Sequence, residues 1–379
     1  MLFSDIVGHT AVTQQLIHTV AQNRLSHALL FLSPEGAGGL PMALAFAQYM
    51  VCTEKGTEDA CGHCDACKKA ARLVHPDIHY SYPAIPRKSG DKPLSTDYIA
   101  EWREFVSQYP YGTAYDWLQF INAENKQGNI SANECQDIIR KLNLKSFESD
   151  YKILILWRPE YLGKDGNRLL KLIEEPPPRT LFILVAEKQE QILNTILSRT
   201  QLLRIPAPAP AEIAAALVRR LQLGEARAAG IAAMSGGSYR EALQLAQHAE
   251  SDWMQELRDW LNHLLVPGQA PALLQWIEGM ASGKTGREKQ KQFLRYFINL
   301  LEHALRLQFL SPEQLSLPEA ERDFATRLNK LADPLQIAAI IRELDAACYH
   351  IERNANAKLL LHALSIRLQH IFSRRPLPV

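Results

Sequence analysis

Ser33-Pro34-Glu35-Gly36-Ala37-Gly38-Gly39-Leu40 is the stretch on which the reading of the fold turns. It lies between residues 27–32, a short apolar run with strand character, and residues 41–50, a run suited to a helix. Strand, glycine-rich turn and helix in that order frame a phosphate-binding loop, whose pattern is G-x-x-x-x-G-K-[ST]. In a working loop glycine amides cradle the phosphates, the lysine reaches the outer ones and the hydroxyl holds magnesium. Here Ser33 replaces the first glycine, Gly39 stands in the lysine slot and Leu40 in the hydroxyl slot. Taken alone, the stretch is either a phosphate loop that has lost its chemistry or an ordinary strand-to-helix turn. The rest of the chain has to decide.

Working outward, 379 residues with 47% hydrophobic content suffice for two or three domains. A net charge of +1 excludes a globally basic nucleic-acid binder, so any contact with DNA has to come from a local patch or from partner subunits. Residues 1–5 lack the basic and apolar regions of a signal peptide, and no apolar run approaches the roughly 18 residues of a spanning helix. A cytoplasmic chain with no membrane contact is the expectation.

Four of the six cysteines crowd together as Cys52, Cys61, Cys64 and Cys67, while Cys135 and Cys348 stand apart. In a cytosolic chain such clustering favours a metal over disulfides. The spacing lets four thiolates converge on one tetrahedral, structural Zn2+, with Cys52 near the end of the helix after the loop and Gly62 in the knuckle. His63 competes as a ligand, and four free thiols are the plain alternative.

Val12, Leu16 and Val20 give residues 8–22 a helical face. Residues 75–129 read as irregular and aromatic, with Pro76, Pro83, Pro86, Pro93 and Pro110 among Trp102, Tyr109, Tyr111, Tyr115 and Trp117, and one short helix near 96–107. These rings, interleaved with Arg87, Lys88 and Lys92, suit packing over the adjacent domain more than a base-stacking surface. Ser131, three residues before Glu134, caps a helix running through Leu142. Strands are expected at 153–156, 181–186 and 201–205, with helices at 167–174, stopped by Pro176-Pro177-Pro178, and at 190–197. Such alternation predicts a parallel sheet with helices on both faces.

Beyond Pro210 every periodic segment is helical. A small bundle covers 211–249, with Gly236-Gly237-Ser238 capping a helix that bears Arg240, and a larger one begins at Asp252. Ser282-Gly283-Lys284-Thr285 imitates the end of a phosphate loop, but Glu278 occupies the first glycine position and the stretch joins two helices.

With these residues in place, the chain resembles the clamp-loader branch of the AAA+ family. Phe3-Ser4-Asp5-Ile6-Val7-Gly8-His9 is similar to that family's opening box, and Ser26-His27-Ala28-Leu29-Leu30-Phe31 to its first core strand. Asn167-Arg168-Leu169-Leu170-Lys171-Leu172-Ile173-Glu174-Glu175-Pro176-Pro177 is similar to a segment found across clamp-loader subunits. Thr195-Ile196-Leu197-Ser198-Arg199-Thr200 resembles their Ser-Arg-Cys motif, Thr200 replacing the cysteine, and the four-cysteine knuckle is typical of bacterial members. Gly237-Ser238-Tyr239-Arg240-Glu241-Ala242 resembles the sensor-2 box, and Asn354-Ala355-Asn356-Ala357-Lys358-Leu359 the family's last helix.

The resemblance implies an AAA+ RecA-like α/β domain over 1–206, with a zinc-binding insertion at 52–67 and an aromatic insertion at about 76–129. A helical lid domain at 207–250 and a helical collar and oligomerisation domain at 251–379 would follow. An active member follows its second strand with Asp-Glu, one acid for magnesium and one for the attacking water. This chain has Trp157-Arg158 there, with a register that can slip by one. Losing lysine, hydroxyl and both acids removes the positioning and charge neutralisation on which phosphoryl transfer depends, so no ATP is expected at Ser33, Gly36, Gly38, Gly39 and Leu40.

Arg199, with Ser198, is implied as an arginine finger that works in trans on a neighbour's active site; the plain alternative is a surface ion pair before an edge strand. Arg240 is left between a sensor-2 residue and a structural ion pair. The implied role is a non-catalytic subunit of the bacterial replicative holoenzyme, in a hetero-pentamer with gamma/tau and delta clamp-loader subunits, loading the sliding clamp on primed DNA. A gamma/tau-type ATPase with an unusual loop and a free-standing zinc-containing DNA-binding protein are the alternatives.

Overall fold

Alternation of apolar side chains along three buried strands supplies the two faces on which the first part of the chain is built. The computed structural model describes residues 1–374 apart from 89, 124–125, 248–252, 283–285, 310–318 and 353–354. It divides into two compact units, Met1–Ile213 with Gly237–Arg240, and Ala214–Gly236 with Glu241–Val379.

The first unit holds β1 (Ala28–Leu32), β2 (Ile78–Ser81), β3 (Lys152–Trp157), β4 (Thr180–Ala186) and β5 (Gln201–Arg204). They form one sheet in the order β2-β3-β4-β1-β5, every neighbouring pair parallel. Leu29, Phe31, Ile153, Ile155, Ile183 and Val185 share a core with the helix that follows β1. Leu30, Leu154, Leu156, Phe182 and Leu184 face the other way, onto Ile138, Leu142, Leu172 and Ile173. The period of two therefore puts a covered face on each side, as an all-parallel sheet requires.

Helices of this unit are α1 (Thr10–Ala21), α2 (Gly39–Val51), α3 (Asp65–Ala71), α4 (Ile99–Gln108), α5 (Ala114–Phe120), α6 (Ala132–Leu142), α7 (Leu170–Glu174) and α8 (Asn194–Leu197). Ser131 caps α6 as expected, its hydroxyl accepting the Glu134 amide at 3.4 Å. A 3-10 stretch, Pro159–Leu169, leads into α7, so the helix expected from residue 167 is shorter than its sequence pattern.

Residues 75–129 are the main correction. They hold edge strand β2 and two helices, α4 and α5, where one helix in an irregular loop is expected. β2 is four residues long between Pro76 and Pro83, too short for its alternation to register. The aromatic residues extend the core: Tyr82 stacks on Trp102 at 4.0 Å, Trp117 meets both edge-on, and Trp102 reaches Trp157 of β3 at 5.1 Å. Tyr82, Trp102, Phe105 and Trp117 are fully buried and so closed to base stacking, whereas Tyr109, against Phe105, is half exposed.

The remaining helices are α9 (Pro210–Leu221), α10 (Glu225–Met234), α11 (Tyr239–Gln247), α12 (Trp253–Leu265), α13 (Ala270–Met280), α14 (Gly286–Arg306), α15 (Glu319–Leu331), α16 (Pro334–Glu352) and α17 (Ala357–Phe372). The second unit has a core of its own around Trp260, Phe293, Phe297, Ile337, Leu344, Leu361 and Leu368. Trp260 stacks on Trp276 at 5.1 Å and donates its indole N–H to Ser365 at 3.0 Å. Gly283, Lys284 and Thr285 of the decoy turn, and Asn354 of the last-helix box, lie outside the described residues.

Candidate functional site

The strand-turn-helix expected at the opening stretch is present. The Ser33 amide donates to Ala186 O at 3.0 Å, which carries the β1–β4 pairing to the start of the turn. Gly36 (φ 70°) and Gly38 (φ 118°) take the left-handed conformations that only glycine adopts without strain, and α2 starts at Gly39. The lysine slot is closed as well as empty of charge. A Cβ on Gly39 would fall 2.8 Å from Ser33 Cβ and 3.2 Å from Val185 Cγ1. Leu40, in the hydroxyl slot, is buried.

β3 ends at Trp157, which stands opposite Val185 of β4. Trp157 is packed into the aromatic core, and Arg158 follows with φ 65°. The Arg158 guanidinium pairs with Glu187, at the end of β4, and lies 3.9 Å from Glu160. Glu160 in turn accepts the amides of Glu187 at 2.6 Å and Lys188 at 2.9 Å. Burial pushes the Glu187 carboxyl up to about 7, against the pull of Arg158 and with the charge of Glu35 adding to the rise. Where an active member has two acids, one for magnesium and one for the attacking water, this strand end has a guanidinium held by Glu187.

Ser33, Gly36, Gly38, Gly39, Leu40, Trp157, Arg158 and Glu187 line one crevice with Pro110, Tyr111 and Gly112 of the aromatic insertion. Its volume is about 20 Å3, room for about one water. The Gly36 carbonyl accepts the amides of Tyr239 at 3.1 Å and Arg240 at 3.4 Å. Arg240 is buried and pairs with both carboxylate oxygens of Asp116, so the ion-pair alternative is the arrangement found.

The four cysteines converge. Cys52 ends α2, Cys64 caps α3, and the sulfurs of Cys52, Cys61, Cys64 and Cys67 all lie within 4.8 Å of one another. A tetrahedron of Zn–S bonds of about 2.3 Å spaces its sulfurs by about 3.8 Å. Cys61 and Cys67 are 3.9 Å apart. Backbone amides point at the sulfurs, Cys61 N at Cys52 (3.4 Å), Cys64 N at Cys61 (3.3 Å) and Cys67 N at Cys64 (3.4 Å), which favours thiolates. This donor set suits a closed structural ion. His63 and Glu54 are exposed and 3.6 Å apart; with Cys61 they make a second, open grouping beside the first.

Ser198 and Arg199 lie between α8 and edge strand β5, and neither lines the crevice. The Arg199 side chain is one-third exposed at 32% and meets Glu174, at the end of α7, at 3.1 Å. Its guanidinium also donates to Thr195 O at 3.0 Å and to the Ser198 hydroxyl at 3.3 Å. The structure thus brings the loop residues together with Trp157 and Arg158, gathers the cysteines separately, and leaves Arg199 on the surface. Glu187, Glu160, Tyr111 and Asp116 escape the reading of the sequence. Glu187 had a signal, an acid directly after an apolar run, at the strand end where parallel sheets place their ligands.

Fold and site together define a class: a phosphate-loop α/β domain with a cysteine knuckle, its catalytic positions substituted, joined to an all-helical part. The comparisons give the family. A family model described as DNA polymerase III, delta subunit matches residues 8–209, and the chain belongs to that family. Among curated relatives, the delta' subunit of Escherichia coli (strain K12) is 26% identical over 279 residues, 70% of this chain and 71% of its own length. The delta' subunit of Bacillus subtilis (strain 168) is 29% identical over 192 residues, 51% of this chain and 46% of its own. The tau subunit of Bacillus subtilis (strain 168) is 27% identical over 255 residues, 66% of this chain, and the match spans 38% of its length. The family and the two delta' relatives support a delta'-type clamp-loader subunit of DNA polymerase III, although the chain spans less than half the length of the two Bacillus subtilis relatives. Among the described residues no helix is long and apolar enough to cross a membrane.

Proposed function

We propose that the chain is a non-catalytic member of a clamp-loader ring, which contributes Arg199 to the active site of a neighbouring ATPase subunit. The carrying observation is a contrast within one unit. The chain's own phosphate-loop crevice, with Gly39 and Leu40 in its chemical slots, has a volume of about 20 Å3, whereas Arg199 keeps its guanidinium at the surface. Its partner Glu174 is itself exposed at 57%, and an exposed pair of this kind contributes little and exchanges readily for a more strongly charged phosphate. Ser198 serves as the support that orients the finger.

On this reading the cysteines hold a structural Zn2+ that fastens residues 52–67 to the end of α2, and residues 207–250 and 251–379 act as lid and collar. The partners are gamma/tau and delta subunits in a cytoplasmic hetero-pentamer, with the sliding clamp and primed DNA met through the assembled loader.

Arg199→Ala, in a loader reconstituted with its gamma/tau and delta partners, is the test. DNA-dependent ATP hydrolysis should fall steeply, since trans fingers contribute about 10³ to 10⁵ in rate, while assembly on a sizing column stays unchanged. An unaltered rate would remove the finger assignment. ATP turnover by the purified chain alone would overturn the non-catalytic role.

A further inference from the structure

Residues 110–116 of the aromatic insertion do more than extend the hydrophobic core. Pro110, Tyr111 and Gly112 form one wall of the crevice against the glycine loop. Tyr111 is buried; its hydroxyl accepts the Val7 amide at 2.9 Å, its ring meets that of Tyr239 at 4.9 Å, and it stands 3.4 Å from where a Gly38 Cβ would be. His9 closes the same corner, its Nε2 2.7 Å from Ala37 O. A few residues on, Asp116 engages Arg240 through both oxygens while its Oδ2 also accepts the Thr113 amide at 2.7 Å and hydroxyl at 2.9 Å.

A nucleotide laid on such a loop would bring a flat ring and an anion. Phosphate would sit at the N-terminus of α2, a helix of 13 residues, and an arginine beside it would grip oxygens in a bidentate fork. The insertion supplies both features from within the chain: a flat ring on the loop and a carboxylate in the arginine fork. We propose that residues 110–116 are a built-in occupant of the nucleotide cleft, Tyr111 and Asp116 making the contacts that a bound nucleotide would otherwise make. Asp116 is well chosen for this, because its place in the Thr113 capping box fixes the carboxylate before Arg240 meets it. The insertion thus packs against the glycine loop and pairs the arginine of the 237–240 segment. The proposal is independent of Arg199, whose test reads hydrolysis in a neighbouring subunit.

The experiment compares the full-length wild type with a Tyr111→Ala/Asp116→Ala double variant, titrated with ADP by calorimetry and by thermal shift. The double variant should bind ADP at least about tenfold more tightly than wild type. Tyr111→Phe, which keeps the ring and loses the hydroxyl that accepts from Val7, should stay as closed as wild type. Equal binding by wild type and double variant would overturn the proposal. So would no binding by either, because the loop itself, rather than the insertion, would then be the barrier. A measurement on wild type alone covers the case in which the double variant fails to fold. The amides of Val7 and Tyr239, which donate to Tyr111 and Gly36, should exchange with deuterium as slowly as those of β1 and β4. Exchange at the rate of an open loop would show that the segment is not seated, and the proposal would fall.

Discussion

Ser33 and Gly39 look in the sequence like two separate losses from a phosphate loop. The geometry makes them one. With serine at the first position, its Cβ takes the space in which any side chain at position 39 must start. A lysine at 39 is compatible with glycine at 33, and glycine at 39 with serine at 33. Gly39→Ala should therefore destabilise the chain by about 1 to 3 kcal/mol through overpacking, outweighing the fraction of a kcal/mol that alanine gains over glycine at a helix start. In a Ser33→Gly background the same change should cost distinctly less, since only the 3.2 Å approach to Val185 remains. Denaturant unfolding of the four proteins in this cycle gives the coupling, expected at about 1 kcal/mol or more; costs that add to within about 0.5 kcal/mol would show the two positions to be independent. Restoring the lysine alone is accordingly a poor route to restoring nucleotide chemistry.

Among the elements, those whose chemistry is local in the chain were readable and those completed by distant residues were not. The knuckle is the clearest readable case, because three of its cysteines lie within seven residues and the fourth ends the preceding helix. Cys67 is the most buried of the set, at the start of α3, where its amide donates to the Cys64 sulfur. Cys67→Ala should lower bound zinc from about one to about zero per chain by elemental analysis, and lower the melting temperature with it. Cys135→Ala, whose sulfur belongs to the other face of the sheet, should retain the metal. If the wild type carries no zinc when purified without chelators, the four-thiolate reading fails. The buried strands and the glycine turn were likewise legible, each being a contiguous apolar or glycine-rich run. β2 and α5 were not: a four-residue strand and a seven-residue helix carry too little periodicity to stand out, and α5 depends on burying Trp117 in a cluster assembled from residues 82 to 157. Arg158 was visible as a missing acid, but its pairing with Glu187, just past the end of the neighbouring strand β4, joins residues far apart in the chain.

Among the described residues apolar packing covers both faces of the sheet and a further core lies in the helical unit; the core on the α2 side of the sheet and the helical core each hold a fully buried tryptophan. Trp102 is buried completely among Tyr82, Phe105, Trp117 and Trp157, and Trp260 completely among Trp276, Phe293 and Phe297. Truncating either to alanine should remove about 3 to 5 kcal/mol from the unit that contains it. Separate cores predict separable consequences. Native-state hydrogen exchange should show Trp102→Ala weakening the amides of β1, β3 and β4 while those of α14 and α17 keep their protection, with the pattern reversed for Trp260→Ala. Equal loss in both regions from either change would mean that the chain unfolds as one cooperative block. The distinction bears on the proposed role. Arg199 belongs to the sheet unit, whereas the proposed collar belongs to the helical one. Trp260→Ala should then cost the ring its assembly while leaving the α8–β5 turn that bears Arg199 as protected as in wild type, so that joining the ring and serving its neighbour can be broken one at a time.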